Sequence, residues 1–339
     1  MAWPLLGGGQ AAFAHDSKLD FNKVCSAEAL FAAWEKFRRS KRARADVLAF
    51  ERHLEANIFE LADELTHGSY RHGPYQPFTV WDPKQRQIHK ALVRDRLVHQ
   101  AVTSAIEPLF EKGFIYDSHS CRKGKGTHAA LSRLRRFLYR ASRNNTVNVY
   151  ALKLDINKFF ASVDHQILME LLTQKISNPE IVDLLAEIIA SYSVSSSQGL
   201  PLGNLTSQLF ANVYLHQLDW FVKNHLCERF YLRYCDDFVI LSPDRRYLAD
   251  LVSVIDQFLA TRLKLTIHPA KVSLRGWHQG IDFVGYVLKP HCTVLRTKTR
   301  QRMLDRLNSD NLTSYLGLCS HADSYELQQD LVSRQWLNI

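Results

Sequence analysis

The chain is 339 residues long, 46% apolar and 23% charged, and its 43 Lys and Arg outnumber its 34 Asp and Glu to leave a net charge of +9. That composition excludes a disordered chain. With no apolar run near the roughly 20 residues of a membrane span, and no basic start between Met1 and His15, it also argues against a membrane or exported protein. The positive surplus favours polyanionic partners, and six scattered cysteines without a CxxC pair read as reduced, mostly buried residues.

In chain order, the first 68 residues are expected to be helical. Leu30, Trp34 and Phe37, then Leu54, Ile58, Leu61 and Leu65, recur at three- and four-residue steps behind a capping candidate at Ser26. The basic run Arg38 to Arg44 reads first as a solvated connection. Turn marks at Gly73-Pro74, Pro77 and Asp82-Pro83 predict extended segments and a hairpin over Tyr70 to Ile88. Helices are predicted over Arg94 to Leu109 and from Thr127 through Ser142. Arg133, Arg136, Arg140 and Arg143 share one face of the second, either a solvated face or a track for a nucleic-acid backbone. From Val147 a strand alternates up to Asp155 and Ile156. Helices follow over Gln166 to Lys175 and Pro179 to Ser191, then a longer one after Asn204 or Thr206. Strands over Arg229 to Tyr234 and Phe238 to Leu241 flank Asp236 and Asp237. A helix over Arg246 to Leu263, strands near Val272 to Leu274 and over Phe283 to Leu288, and a polar helical end complete the set. The order suits a split βαβ sheet with helices on one face.

Two acidic sites end apolar strands, where packing alone would not place a charge: Asp155 in Leu152-Lys153-Leu154-Asp155-Ile156, and Asp236-Asp237 in a hairpin turn. Enough chain separates them for a helical crossover to bring the two strands side by side. Adjacent carboxylates repel unless hard cations lie between them. Mg²⁺ suits such oxygen ligands, and two ions serve an in-line phosphoryl displacement.

Leu154-Asp155-Ile156 through Phe160, and Tyr234-Cys235-Asp236-Asp237, resemble the first metal-binding motif and the Tyr-x-Asp-Asp box of reverse transcriptases. The resemblance runs roughly from Gly68 to Gly317 and takes in Pro83-Lys84-Gln85-Arg86, Arg94-Asp95-Arg96, Cys121 to His128 and Gly285-Tyr286. Within the family, Leu202-Gly203-Asn204-Leu205-Thr206-Ser207-Gln208 is most similar to the mark of the enzymes of diversity-generating retroelements.

That resemblance implies an α+β right-hand polymerase fold. Its parts would be an N-terminal helical region (1–68), fingers (69–146 and 165–198), a palm with a split βαβ, ferredoxin-like sheet (147–164 and 199–288), and a short helical thumb (289–339). It implies that Asp155, Asp236 and Asp237, with the Ile156 carbonyl, hold two Mg²⁺ ions, with Mn²⁺ as a substitute, and that Lys271 protonates the leaving pyrophosphate. Lys84, Arg86, Phe160, Leu202 and Gln208 would meet the incoming dNTP, with Phe160 as the gate against a ribose 2′-hydroxyl. Phe283, Gly285 and Tyr286 would form the primer grip. Arg133, Arg136, Arg140 and Arg143, with the basic series from Arg296 to Arg306, would flank the RNA template and DNA product.

Leu202 departs from the Gln of ordinary reverse transcriptases and implies lowered fidelity, chiefly opposite template adenines. The roughly fifty residues past Leu288 are too few for an RNase H or integrase domain. Such a short thumb fits reliance on a small basic accessory protein that forms a pentamer. The resemblance further implies a cytoplasmic enzyme, encoded by a bacterium or phage, with no membrane partner. A phage-defence reverse transcriptase, a non-catalytic nucleic-acid-binding scaffold and a metal-dependent nuclease are the alternatives.

Overall fold

The computed structural model of the chain describes residues 19–81 and 85–337, which form two compact units, each made of two stretches of chain. The first holds the residues up to Phe114 together with Lys158–Gln217; the second holds Ile115–Asn157 and the residues from Leu218 onward. Lys84, with Asp82 and Pro83 of the expected turn, lies outside the described residues.

The first unit is mainly helical. The Ser26 hydroxyl accepts the Ala29 amide at 3.3 Å and starts the helix Ala27–Phe37, which buries Leu30, Trp34 and Phe37. That helix packs on Val93–Glu111, and Leu54–Thr66 adds Ile58, Leu61 and Leu65 to the same interior. In the basic run Arg38 pairs with Glu35 and Glu51 and Lys41 donates to the Phe37 carbonyl, while Arg39, Arg42 and Arg44 are exposed. The strands β1 (Gln76–Val80) and β2 (Arg86–Lys90) form an antiparallel ribbon, largely exposed, in the register Gln76↔Lys90 to Val80↔Arg86. Helices His165–Thr173 and Pro179–Ala190 start at side-chain caps from Asp164 and Asn178, at 3.1 and 3.0 Å.

The second unit is built on a four-stranded sheet of β3 (Tyr150–Asp155), β4 (Tyr231–Tyr234), β5 (Asp237–Ser242) and β6 (Ser273–Gly276). The order is β4-β5-β3-β6 with every neighbouring pair antiparallel, the split βαβ arrangement that the sequence predicts. The expectation of helices on one face needs correction. Phe238 to Leu241 are four consecutive buried residues, which requires cover on both sides. The helix Arg245–Leu263 packs on β3, β5 and β6, while Leu131, Leu134 and Leu138 of the helix Thr127–Ala141 share a different core with Val149, Leu232 and Val239.

That helix stops at Ala141. Arg143 follows it in a left-handed turn (φ 49°), so it leaves the face that its spacing suggests. Phe283 to Leu288 is likewise not one strand. It is β7 (Ile281–Phe283) and β8 (Tyr286–Leu288) around the two-residue turn Val284-Gly285, both at positive φ (44° and 95°), as the right-handed twist of a tight hairpin demands. A third strand, β9 (Thr293–Leu295), completes this sheet before the helices Thr297–Asp305, Leu312–Cys319 and Tyr325–Leu337. No described helix is long and apolar enough to cross a membrane.

Candidate active site

The register of the second unit's sheet brings the predicted acids together. Asp155 at the end of β3 lies directly opposite Asp237 at the start of β5. Side chains so placed have Cβ atoms about 4.5–5.5 Å apart, and like charges there repel. Asp236 occupies the second position of the two-residue turn Cys235-Asp236, where Cys235 takes a positive φ of 56° that usually falls to glycine. The Ile156 amide donates to the Asp236 carbonyl at 3.3 Å, tying the turn to the strand that carries Asp155.

Two ammonium groups sit among these carboxylates. Lys271, at the end of the short 3₁₀ turn Pro269–Lys271, places Nζ 2.5 Å from Asp155 Oδ1, and Lys153 places Nζ 3.0 Å from Asp237 Oδ2. Burial first, and then the charge of Asp155, hold the Asp236 carboxyl above the usual carboxylate range; burial raises Asp237 against the opposing pull of Lys153. Among the described residues no three His, Cys, Asp or Glu side chains close together as a ready metal cluster, and Asp155 and Asp237 each face a lysine. The donor set nevertheless fits hard divalent cations. It offers three carboxylates with raised or countered charge, and Asp237 Oδ1 is buried without a hydrogen-bond partner. Beside them a cleft of about 240 Å³ is lined by Lys153, Lys271, Arg275 and Asp282 as well as Asp155 and Asp237.

The first unit gathers most of the residues expected to meet the nucleotide. Phe160, half-buried, is backbone-bonded through its carbonyl to the Leu200 amide at 2.6 Å. The Leu202 carbonyl accepts from the His89 amide of β2 at 3.0 Å, and Asn204 Nδ2 returns a bond to the His89 carbonyl at 2.9 Å. Gly203 between them is required: its φ is 106°, and a Cβ there would stand 2.6 Å from Ile88 Cγ2. Phe160, Leu202 and the strand that carries Arg86 are thus linked by short bonds, with Arg86 and Gln208 exposed.

Other expected roles are redistributed. Phe283 and Tyr286 are 0% and 1% exposed, and the Tyr286 hydroxyl donates to the Leu318 carbonyl at 3.0 Å, so these side chains serve the core, and of the segment expected to grip the primer the turn Val284-Gly285 is the less buried part. Arg133 is engaged with Asp117 at 2.6 Å, which Lys223 also approaches at 3.3 Å. Arg136, Arg140 and Arg143 are exposed. Sequence reasoning missed the fully buried Arg233, although a charge inside the apolar stretch Phe230-Tyr231-Leu232-Arg233-Tyr234 was a visible signal.

Residues 82–288 match the family model of reverse transcriptase (RNA-dependent DNA polymerase). Protein YkfC of Escherichia coli K12 is 24% identical over 279 residues, covering 69% of this chain and 72% of YkfC. The group II intron-encoded protein LtrA of Lactococcus lactis is 27% identical over 177 residues, half of this chain but only 28% of LtrA. The structure of apo telomerase from Candida tropicalis covers 65% of this chain and 48% of its own, with a TM-score of 0.51 at 11% identity, and shares the fold. The α+β architecture is therefore the right-hand polymerase fold, as the motifs imply. With the matched segment spanning well over half of its length, the chain belongs to the reverse transcriptase family and carries the nucleotidyltransferase domain of an RNA-directed DNA polymerase.

Proposed function

We propose that this protein extends a primer 3′-hydroxyl with dNTPs on an RNA template, and that it does so as the error-prone enzyme of a diversity-generating retroelement. The observation that carries the polymerase reading is the β3–β5 register, which sets Asp155 against Asp237 with Asp236 in the adjoining turn. In this reading the three acids, with the Ile156 carbonyl, hold two Mg²⁺ ions, for which Mn²⁺ can substitute. When bound, these lower the pKa of the attacking hydroxyl and neutralise charge on the leaving oxygens. Lys271 stands beside Asp155 as the donor of a proton to pyrophosphate. Arg86 and Lys84 supply cationic contacts for the triphosphate, Phe160 gates the sugar, and Gln208 completes the nucleotide pocket. The turn Val284-Gly285 holds the primer, and exposed Arg136, Arg140 and Arg143 lie along the template.

The subgroup reading rests on Leu202-Gly203 followed, after three residues, by Ser207-Gln208. An aliphatic side chain at this position packs without donating a hydrogen bond, so it leaves a mismatched base with little penalty. Leu202→Gln is expected to reduce misincorporation opposite template adenines by about tenfold, measured by sequencing cDNA made from primed RNA with Mg²⁺ and dNTPs. An unchanged error spectrum would separate the chain from the diversity-generating group and favour the phage-defence alternative, which has the same chemistry. The same assay, run with and without the small basic accessory protein of that group, tests whether a pentameric partner is needed. Failure of the wild-type protein to extend any primed RNA would overturn the polymerase reading itself.

A further inference from the structure

The turn that carries Asp236 is clamped on both sides. On the C-terminal side its carbonyl accepts from the Ile156 amide at 3.3 Å. On the N-terminal side the Cys235 carbonyl, belonging to the peptide that leads into Asp236, accepts from Arg233 Nη1 at 2.9 Å. Arg233 is 1% exposed and has little freedom. Its Nε lies 2.7 Å from Asp219 Oδ1, its Nη2 lies 2.6 Å from Asp219 Oδ2 and 3.0 Å from Ser118 Oγ, and Tyr231 donates to the same Asp219 at 2.6 Å. Asp219 is 0% exposed, so both charges have been withdrawn from water. Buried ion pairs are a poor route to stability, since well-packed apolar residues of the same volume serve as well or better. What such a pair offers is direction: a planar guanidinium with two edges fixed can aim the third at one carbonyl only.

We infer that Arg233, oriented by Asp219, is a positioning residue that sets the peptide plane entering Asp236 and thereby the readiness of Asp155, Asp236 and Asp237 to receive divalent metal. The strained φ of 56° at Cys235 is the conformation this bond retains. The inference rests on the polymerase reading, but its test does not depend on turnover. Arg233→Lys keeps the charge beside Asp219 and loses the fork, because one ammonium cannot serve both Asp219 oxygens, Ser118 and the Cys235 carbonyl together. With Mn²⁺ as probe and electron paramagnetic resonance as readout, affinity is expected to weaken by about tenfold or more. In primer extension kcat is expected to fall by a similar factor, with the KM for dNTP within about twofold. The double variant Asp219→Leu/Arg233→Met fills the same volume without charges, and it is expected to stay folded by circular dichroism and show the same Mn²⁺ defect. Wild-type Mn²⁺ affinity in either folded variant would overturn the assignment. Loss of fold in both would also overturn it, by assigning the pair to stability alone. If wild type binds Mn²⁺ but extends no primer, the polymerase reading fails while the resonance measurement still decides the role of Arg233.

Discussion

Asp236→Asn is expected to reduce primer extension by about 10³-fold or more and, in the same protein, to raise the melting temperature in metal-free buffer. The two effects have one cause. Asp236 carries a carboxyl held above its ordinary range by burial and by the charge of Asp155, so its ionised form is less comfortable in the folded protein than in the unfolded chain. The amide keeps the shape and removes that charge. That relief would appear as a small rise in melting temperature. The activity loss follows because charge stabilisation is the principal service a protein renders to phosphoryl transfer. Calorimetry in chelator and a primer-extension time course check the two halves. A lower melting temperature would mean that Lys271 and Lys153 already offset the repulsion fully.

The second large effect is on sugar selection. Phe160→Ala is expected to raise ribonucleotide incorporation by about 10²-fold while leaving dNTP insertion within a few-fold. Phe160 is the second residue of the short helix Phe159–Ser162 and follows Phe159, whose fully buried ring anchors that turn through edge contacts with Phe160 at 5.2 Å and Tyr214 at 6.4 Å. Since Phe159 does the packing, the half-buried Phe160 can be truncated without hollowing the core. Single-nucleotide insertion with matched dNTP and rNTP gives the ratio directly, and a wild-type ratio in the variant would remove Phe160 from the gate.

Much of this was legible in the residues. Alternation toward Asp155, the pattern of buried Leu, Trp and Ile in the first helices, and the Ser26 cap each express a local rule, and the structure obeys them. The misreadings arise where a distant partner decides. Arg133 spaces with Arg136 and Arg140 as a surface stripe, yet Asp117 claims it. The run Phe283 to Leu288 is apolar like a buried strand, and the turn Val284-Gly285, with both residues at positive φ, divides it. Phe283 and Tyr286 turn into a core with Leu327 and Leu331, residues far along the chain. Arg233 was conspicuous as a charge among apolar neighbours, but its meaning depends on Asp219, and no periodicity links the two.

The turn residue Cys235 provides a chemical gauge of this region. Burial and the neighbouring Asp236 push its thiol well above the ordinary cysteine range, so almost none of it is thiolate at neutral pH. Cys121 and Cys227, by contrast, are exposed. Alkylation by iodoacetamide should therefore mark those two first and spare Cys235 for as long as the hairpin stays shut. Its rate of modification would count the openings of the loop that presents the acids, with no need for a substrate or a catalytic cycle.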